Sequence, residues 1–354
     1  MIDLDDEQAL SAGDPGGMLA TISHLSSHCR EGYAVGTAAE GLPSADGVTA
    51  VVFCGMGGSA VAGDVLRELF RDRLGVPIDV TRGPALPEFC GPRSLVVCSS
   101  YSGDTGETLA CFEEALRRGC RIVPVASGGR LAARSAEEGH AVVSVPGGFM
   151  PRAALGYLAF AAMGALESLG LFPPMRDDVA ETVAELERLA ARLAPSVPRA
   201  DNLAKELAWQ MGDRAPLVWG AEGIGAVAAA RWKTQFNENA KVLAWSSALP
   251  ELDHNEVVGW THPAGSAYFV IALRHDGEHP DIAARFPLSI GIARDAGAVV
   301  EEVRGAGDTP LGRLMSLVIM GDFTSAYHAL AHGVDPTPVA AIERLKAALA
   351  EATR

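Results

Sequence analysis

The 354 residues predict two α/β domains, each a doubly wound parallel sheet flanked by helices. Three observations carry this. Short runs that are apolar on both faces, as buried parallel strands are, alternate with helical patterns along most of the chain. A strand–glycine–helix opening occurs twice, VVFCGMGGS at residues 51–59 and LVWGAEGIG at residues 217–225, which suggests an internal duplication. The length exceeds one ordinary domain and suits two. The boundaries this implies are 1–172, with a helical cover at its start, 173–214 as connecting helices, and 215–354.

Residues 1 to about 45 read as helix and irregular cover. A strand from Val48 to Cys54 runs through Gly55-Met56-Gly57-Gly58-Ser59 into a helix from Ala60 to Arg67, the first half of a βαβ unit. Further strands are expected at Ile78–Val80, Leu95–Ser99, Ile122–Ala126 and Ala141–Val145. Helices are expected at Thr105–Arg118 and Gly129–Glu138. A helix from Ala153 to Gly170 closes this half, and Phe172-Pro173-Pro174 ends it. Asp177–Leu193 has the mixed charge and periodicity of a connecting helix. The second series opens at Pro216–Gly223 and continues with a helix into Asn239 and a strand at Tyr268–Leu273. A helical pattern follows at Pro280–Ala293, which Pro287 is placed to interrupt. Strand Ala298–Val303, helix Gly312–Leu330 and a last helix from Val339 complete it.

Composition narrows the function. Apolar residues are 48% and charged residues 21%, a globular balance. Lys and Arg number 29 against 44 Asp and Glu, a formal charge of -15, which argues against a nucleic-acid surface. The six cysteines form no CxxC pair, and several lie in apolar runs, where a reduced thiol acts as a small hydrophobe. The acidic start MIDLDDEQAL does not fit a signal-peptide n-region, and the apolar run from Ala153 to Leu166 is too short to span a bilayer. A cytoplasmic protein is expected.

The loop Gly55, Gly57, Gly58, Ser59 lies where a strand's carboxyl end meets a helix N-terminus. Free N–H groups and the positive dipole end make this an anion site. The spacing Gly55-x-Gly57-x-x-Ala60 also fits a dinucleotide fingerprint. Two features favour a sugar phosphate over a nucleotide. The next strand feeds Ser99-Ser100-Tyr101-Ser102-Gly103-Asp104-Thr105, whose hydroxyls can grip a phosphate without a cation. The Val80-Thr81-Arg82-Gly83 stretch offers no carboxylate for a ribose. For each serine, an ordinary helix N-cap is the alternative.

The stretch Arg231–Trp260, RWKTQFNENAKVLAWSSALPELDHNEVVGW, holds the candidate chemistry. Glu238 stands between Asn237 and Asn239, which can orient it by neutral contacts. Sixteen residues later comes His254, whose tautomer Asp253 or Glu256 could fix. A carboxylate and an imidazole titrate about two units apart, near 4.3 and 6.5 when unperturbed, which suits moving one proton between carbons and another between oxygens. Alternatively Glu238 is an exposed helix carboxylate paired with Lys241 or Arg231. Arg152, at the start of a helix, faces the unfavourable end of the dipole and requires an anionic partner. His328 and His332 are spaced to share a metal, but with neither a glutamate between them nor a third ligand nearby, no metal is expected.

The order of these motifs, from about residue 50 to the C-terminal end, resembles the bifunctional phosphoglucose/phosphomannose isomerase family, built from sugar isomerase (SIS) domains. The resemblance implies a flavodoxin-like three-layer sandwich in each domain and isomerisation of glucose 6-phosphate, and of mannose 6-phosphate, to fructose 6-phosphate through a cis-enediol, without metal or other cofactor. By the same resemblance Gly57, Gly58, Ser59, Ser100, Ser102 and Thr105 hold the substrate phosphate, Glu238 is the carbon base, and His254 opens the ring. Arg152 steadies the enediolate oxygen. Lys346, which on position alone is the exposed face of an amphipathic helix, assists at the ring oxygen. The family is dimeric, with the histidine reaching a neighbouring subunit's pocket, so a homodimer is implied, with a role in glycolysis and gluconeogenesis. Asp104 and Gly106 depart from the family's Asn and Glu, which bears on phosphate affinity. Rival readings are a non-catalytic sugar-phosphate sensor, an aminosugar-phosphate synthase or deaminase, and a dinucleotide-dependent oxidoreductase.

Overall fold

The computed structural model describes residues 2–261 and 265–352. Helices α1 (Glu7–Gly13), α2 (Met18–Ser23) and α3 (Leu25–Thr37) precede β1 (Ala50–Cys54), α4 (Gly58–Phe70), β2 (Ile78–Thr81), β3 (Ser94–Ser100), α5 (Gly106–Arg117), β4 (Arg121–Ala126), α6 (Gly129–Glu137) and β5 (Val143–Ser144). A 3₁₀ turn at Pro151–Ala154 leads into α7 (Leu155–Ser168), then α8 (Arg176–Arg192) and α9 (Leu203–Met211). The second series is β6 (Ala215–Ala221), α10 (Ile224–Gln235), β7 (Trp245–Leu249), α11 (Glu256–Gly259), β8 (Tyr268–Arg274), α12 (Pro280–Ala283), α13 (Phe286–Asp295), β9 (Val299–Arg304), α14 (Pro310–Ala331) and α15 (Ala340–Ala352).

Among the described residues the strands form two parallel sheets, ordered β2-β1-β3-β4-β5 and β7-β6-β8-β9. Read by position, the first four strands of each follow one order, as the repeated glycine opening anticipates. Side chains alternate across each sheet as the period of two requires. Val51, Phe53, Leu95 and Val97 point into a core that also takes Val218, Phe269, Ile271 and Leu273 of the second sheet, together with α7, α8 and α14. Their neighbours Val52, Cys54, Val96 and Cys98 pack under α5, and Trp219, Val270 and Ala272 pack against α13. The helices at 176–192 and 203–211 are thus part of a core shared by both sheets.

All six cysteines are buried and unpaired. Burial pushes the Cys29 thiol well above its ordinary range. Among the described residues no helix is long and apolar enough to cross a membrane.

Two departures from expectation bear on the second sheet. Trp245–Leu249, inside the stretch read as helix followed by polar loop, is the edge strand β7, paired in register with Leu217–Ala221. The pattern at 280–293 does split, but Pro287 stands in the first turn of α13 and starts that helix. There its missing N–H and fixed φ carry no penalty.

Candidate active site

Both candidate anion loops lie at the carboxyl ends of β1 and β3, the point where the order of the first sheet reverses and where ligands of open α/β sheets bind. Gly57 has φ 53 and ψ -128, open to glycine alone, and it precedes α4 without a side-chain cap; in the first turn Ser59 N donates to the Met56 carbonyl at 3.1 Å, which leaves the N–H groups of Gly58 and Ala60. The hydroxyls are not spent on capping either. Thr105 sits before α5 but makes no cap bond; its Oγ1 lies 2.9 Å from Ser100 Oγ. Ser59 Oγ accepts from Tyr101 N at 3.4 Å, Ser100 Oγ from Gly103 N at 3.1 Å and Ser102 Oγ from Asp104 N at 3.2 Å. Each of these serines therefore uses a lone pair internally, and Ser59 and Ser102 keep their O–H free to donate to an anion. Asp104 is turned aside: its Oδ1 accepts from Arg130 N at 3.1 Å and pairs with the Arg130 side chain at 3.3 Å. At Gly106 a Cβ would meet nothing within 4 Å, so that departure leaves open space at the head of α5.

A chain of short contacts joins these loops to the candidate base. A Cβ on Gly58 would stand 3.0 Å from the Pro151 carbonyl oxygen and 3.5 Å from Arg152 Cα, so the glycine lets the loop lie against the 3₁₀ turn. Arg152 is 2% exposed. Its Nε donates to Asn239 Oδ1 at 2.6 Å, and its Nη2 donates to the carbonyls of Pro336 at 2.7 Å and Thr337 at 2.9 Å. Nη1 is buried without a hydrogen-bond partner, and its nearest carboxylate is Glu238 Oε2 at 3.7 Å. That is the anionic partner the sequence called for, held beyond hydrogen-bond range. Burial pulls the Arg152 pKa down, and the Glu238 charge works against that shift. The turn is fixed from behind by Arg231, whose Nη2 donates to the Arg152 carbonyl at 2.6 Å and pairs with buried Asp322 at 2.9 Å.

Glu238 stands in a π-helical turn, Phe236–Ala240, that ends α10, and its side chain is 28% exposed. Such single π turns concentrate at functional sites. Glu238 opens on a cavity of about 380 Å³ lined also by Asn237, Lys241, Pro338 and the first residues of α15. The charged and amide groups around Glu238 are committed elsewhere. Arg231 goes to Asp322 and Lys241 to backbone carbonyls, so neither pairs with Glu238. Asn237 donates to the Val242 carbonyl, and Asn239 serves Arg152 and Ser325, so the flanking asparagines brace the turn and Arg152, not the carboxylate.

His254 is brought to a different place. It is exposed, in a 3₁₀ turn beyond the carboxyl end of β7. Glu222 N donates to the Leu249 carbonyl, fixing that end of β7 beside the start of α10. Glu238 lies fifteen residues beyond Gly223, about 22 Å along the helix towards the other end of the sheet. The proposed tautomer partners are committed elsewhere. Asp253 takes Ser289 Oγ at 2.6 Å and Arg285 at 3.1 Å, while Glu256 takes Trp219 Nε1 at 2.8 Å and Ser247 Oγ. Lys346 is exposed on α15, four residues past Ile342 at the cavity rim. His328 Nδ1 faces the Ala208 carbonyl at 3.3 Å, and His332 has Asp213 beside it at 3.3 Å. Among the described residues, no group of three or more His, Cys, Asp or Glu could hold a metal ion.

A family model described as the bacterial phospho-glucose isomerase C-terminal SIS domain matches residues 200–349. In structure the chain is similar to a glucose-6-phosphate isomerase like protein from Thermus thermophilus, with TM-score 0.64 and 21% identity over 98% of this chain and 99% of that one, a likeness of fold. In sequence it is 37% identical over 299 residues to the bifunctional phosphoglucose/phosphomannose isomerase of Aquifex aeolicus, 84% of this chain and 89% of that protein. The protein of the same description from Caldicellulosiruptor bescii is 35% identical over 336 residues, 94% of this chain and 99% of that protein. With identity at this level over almost the whole of both chains, the chain belongs to the bifunctional phosphoglucose/phosphomannose isomerase family.

Proposed function

We propose that this protein interconverts glucose 6-phosphate and mannose 6-phosphate with fructose 6-phosphate through a cis-enediol. The observation that carries the reading is the buried Arg152 Nη1, without a hydrogen-bond partner and 3.7 Å from Glu238. A donor left unsatisfied in the free protein is matched to charge that develops during reaction. Gly57, Gly58, Ser59, Ser100, Ser102 and Thr105 hold the phosphate dianion. Glu238 takes the proton from C2 of the open-chain sugar, Arg152 donates to the oxygen that becomes negative, a second proton passes from O2 to O1, and the carbon proton returns at C1. Removing the C2 proton from either epimer gives the same enediol, so one base serves both aldoses.

Ring opening falls to His254 of a second copy. The position of His254 beyond the carboxyl end of β7, with about 22 Å of helix between that end of the sheet and Glu238, supports supply across a homodimer interface. So does the exposed apolar surface near β7, where Leu243 is 75%, Trp245 48% and Val258 65% exposed. Lys346 assists at the ring oxygen from α15. The division at 1–172, 173–214 and 215–354 belongs to the same proposal and is supported by one parallel sheet in each outer part. Cytoplasmic location and a place in glycolysis and gluconeogenesis rest on the substrate alone.

Glu238→Gln tests the reading. Turnover of both aldose phosphates should fall by several orders of magnitude while fructose 6-phosphate still binds, because the loops are untouched. Wild-type protein that binds fructose 6-phosphate without turning it over would establish the sensor instead.

A further inference from the structure

Lys241 directly follows the Glu238 turn and has φ 57, a left-handed conformation uncommon for a residue other than glycine. Its ammonium donates to three carbonyls, those of Asn239 at 3.1 Å, Asp335 at 2.8 Å and Pro336 at 2.8 Å. The Pro336 oxygen is shared with Arg152 Nη2, which also takes the Thr337 oxygen. Two cations, Arg152 after the first sheet and Lys241 after the α10 turn, thus gather three consecutive carbonyls of a strap at residues 335–337. Asp335 Oδ1 tightens the strap by accepting from Thr337 N at 2.8 Å. The chain then passes through Pro338 and Val339, which line the Glu238 cavity, into α15. Residues 341–349 of that helix are all exposed, so its place over the cavity depends on how the strap before it is fastened.

We propose that Lys241 is a positioning residue of the isomerase site: by clamping the strap it holds α15, and Lys346 with it, over the Glu238 cavity. The role of Lys346 in this rests on the isomerase reading; the clamp itself does not. The charged groups facing Lys241 are Arg152 from the 3₁₀ turn, Asp335 from the strap and Glu238 from its own turn. Burial first, and then the Arg152 charge, bring the Lys241 pKa down to about 8, while Asp335 and Glu238 oppose the shift. Below that pH an ammonium supplies three donors to three carbonyls. Above it a neutral amine supplies two, and the strap loosens.

The test uses full-length Lys241→Met and Lys241→Arg proteins, with kcat and KM for fructose 6-phosphate measured from pH 6.5 to 9.5 and hydrogen exchange followed in residues 338–346. In Lys241→Met, exchange there rises and kcat falls by about ten- to a hundredfold while KM changes less. Lys241→Arg keeps the charge and does not titrate in this range, so it retains activity at pH 7 and loses the decline that wild type shows above about pH 8. Unchanged exchange in Lys241→Met overturns the proposal. So does a Lys241→Arg profile that declines as wild type does, a comparison that stands even if the methionine variant fails to fold. A wild-type protein without turnover would defeat the isomerase reading, and the exchange measurement would still decide the clamp.

Discussion

Arg152→Lys separates a catalytic cation from a structural one. Three N–H groups of Arg152 make hydrogen bonds of 2.6, 2.7 and 2.9 Å from a site that is 2% exposed. A lysine puts one nitrogen where the guanidinium has three, and its ammonium cannot keep that geometry. Losing one such bond to a charged group costs about 1.5–3 kcal/mol, so the midpoint of thermal unfolding should fall by a few degrees. The catalytic loss is distinct. If Nη1 donates to the developing enediolate oxygen, its removal should lower kcat by about 10²–10³, equivalent to about 2.7–4 kcal/mol. Turnover of fructose 6-phosphate at 25 °C, where the variant is still folded, reads the second effect, and thermal unfolding reads the first. A variant with the lowered midpoint and a kcat within about threefold of wild type would show that Arg152 only braces the strap and the Glu238 turn.

Three further outcomes are expected. Asp104→Asn removes a carboxylate beside the phosphate loop at the expense of an exposed pair with Arg130, so stability should change by less than about 1 kcal/mol while KM falls about two- to fivefold; an unchanged KM would show that the carboxylate is screened from the phosphate. His328 is buried, and burial first, then the neighbouring His332, bring its pKa to about 4, so the native state stays neutral while the unfolded histidine takes up a proton near 6.5. Its share of stability is complete above pH 6.5 and is lost as pH falls towards 4, up to about 3 kcal/mol, and His328→Gln should flatten the urea-midpoint profile in that window. Mixing inactive Glu238→Gln and His254→Asn proteins under exchange conditions should restore about a quarter of wild-type activity, because half the dimers are mixed and each has one intact site; no recovery despite demonstrated exchange would place base and histidine in one chain.

The elements carried by apolar runs or long helical periods were legible in the sequence. β1, β3, β4, β6 and β8 lie within a residue or two of expectation because both faces of each are covered, which leaves an almost unbroken apolar run. β7 was not legible for the opposite reason: it is an edge strand, Trp245 and Ser246 are exposed, and the run WSSAL carries no two-sided burial signal. α9 reads in sequence as part of a linker because Leu203–Met211 is short and its Lys205 is buried, satisfied by Asp5 and the Pro195 carbonyl, which no local pattern announces. For the candidate site, residue identity pointed to Glu238, Arg152 and the loops, whereas their partners stayed hidden. Arg152 and Lys241 are held by carbonyls of residues 335–337, and a carbonyl is the same at every residue. The carboxylates beside His254 looked available in sequence, yet Arg285, Ser289, Trp219 and Ser247 claim them from elements brought near only by folding.

The proposed function also implies which way round a substrate sits. A phosphate dianion is drawn to cations, and those at the Glu238 end are Arg152 and Lys241. Both are already shared among neutral acceptors: Arg152 among Asn239, Pro336 and Thr337, Lys241 among Asn239, Asp335 and Pro336. What Arg152 has left is Nη1, and Glu238 stands beside it. A dianion placed there would meet that carboxylate as a like charge, whereas a neutral carbonyl or hydroxyl would not. At the other end the loops present backbone N–H groups and hydroxyls, with Asp104 tied to Arg130. On the proposed isomerase reading, in a chain of net charge -15, the phosphate is therefore directed to the loops and the neutral carbons to Glu238. Replacing Glu238 by glutamine relieves the repulsion as it removes the base, so that variant should bind inorganic phosphate at a second, weaker site where wild type binds one.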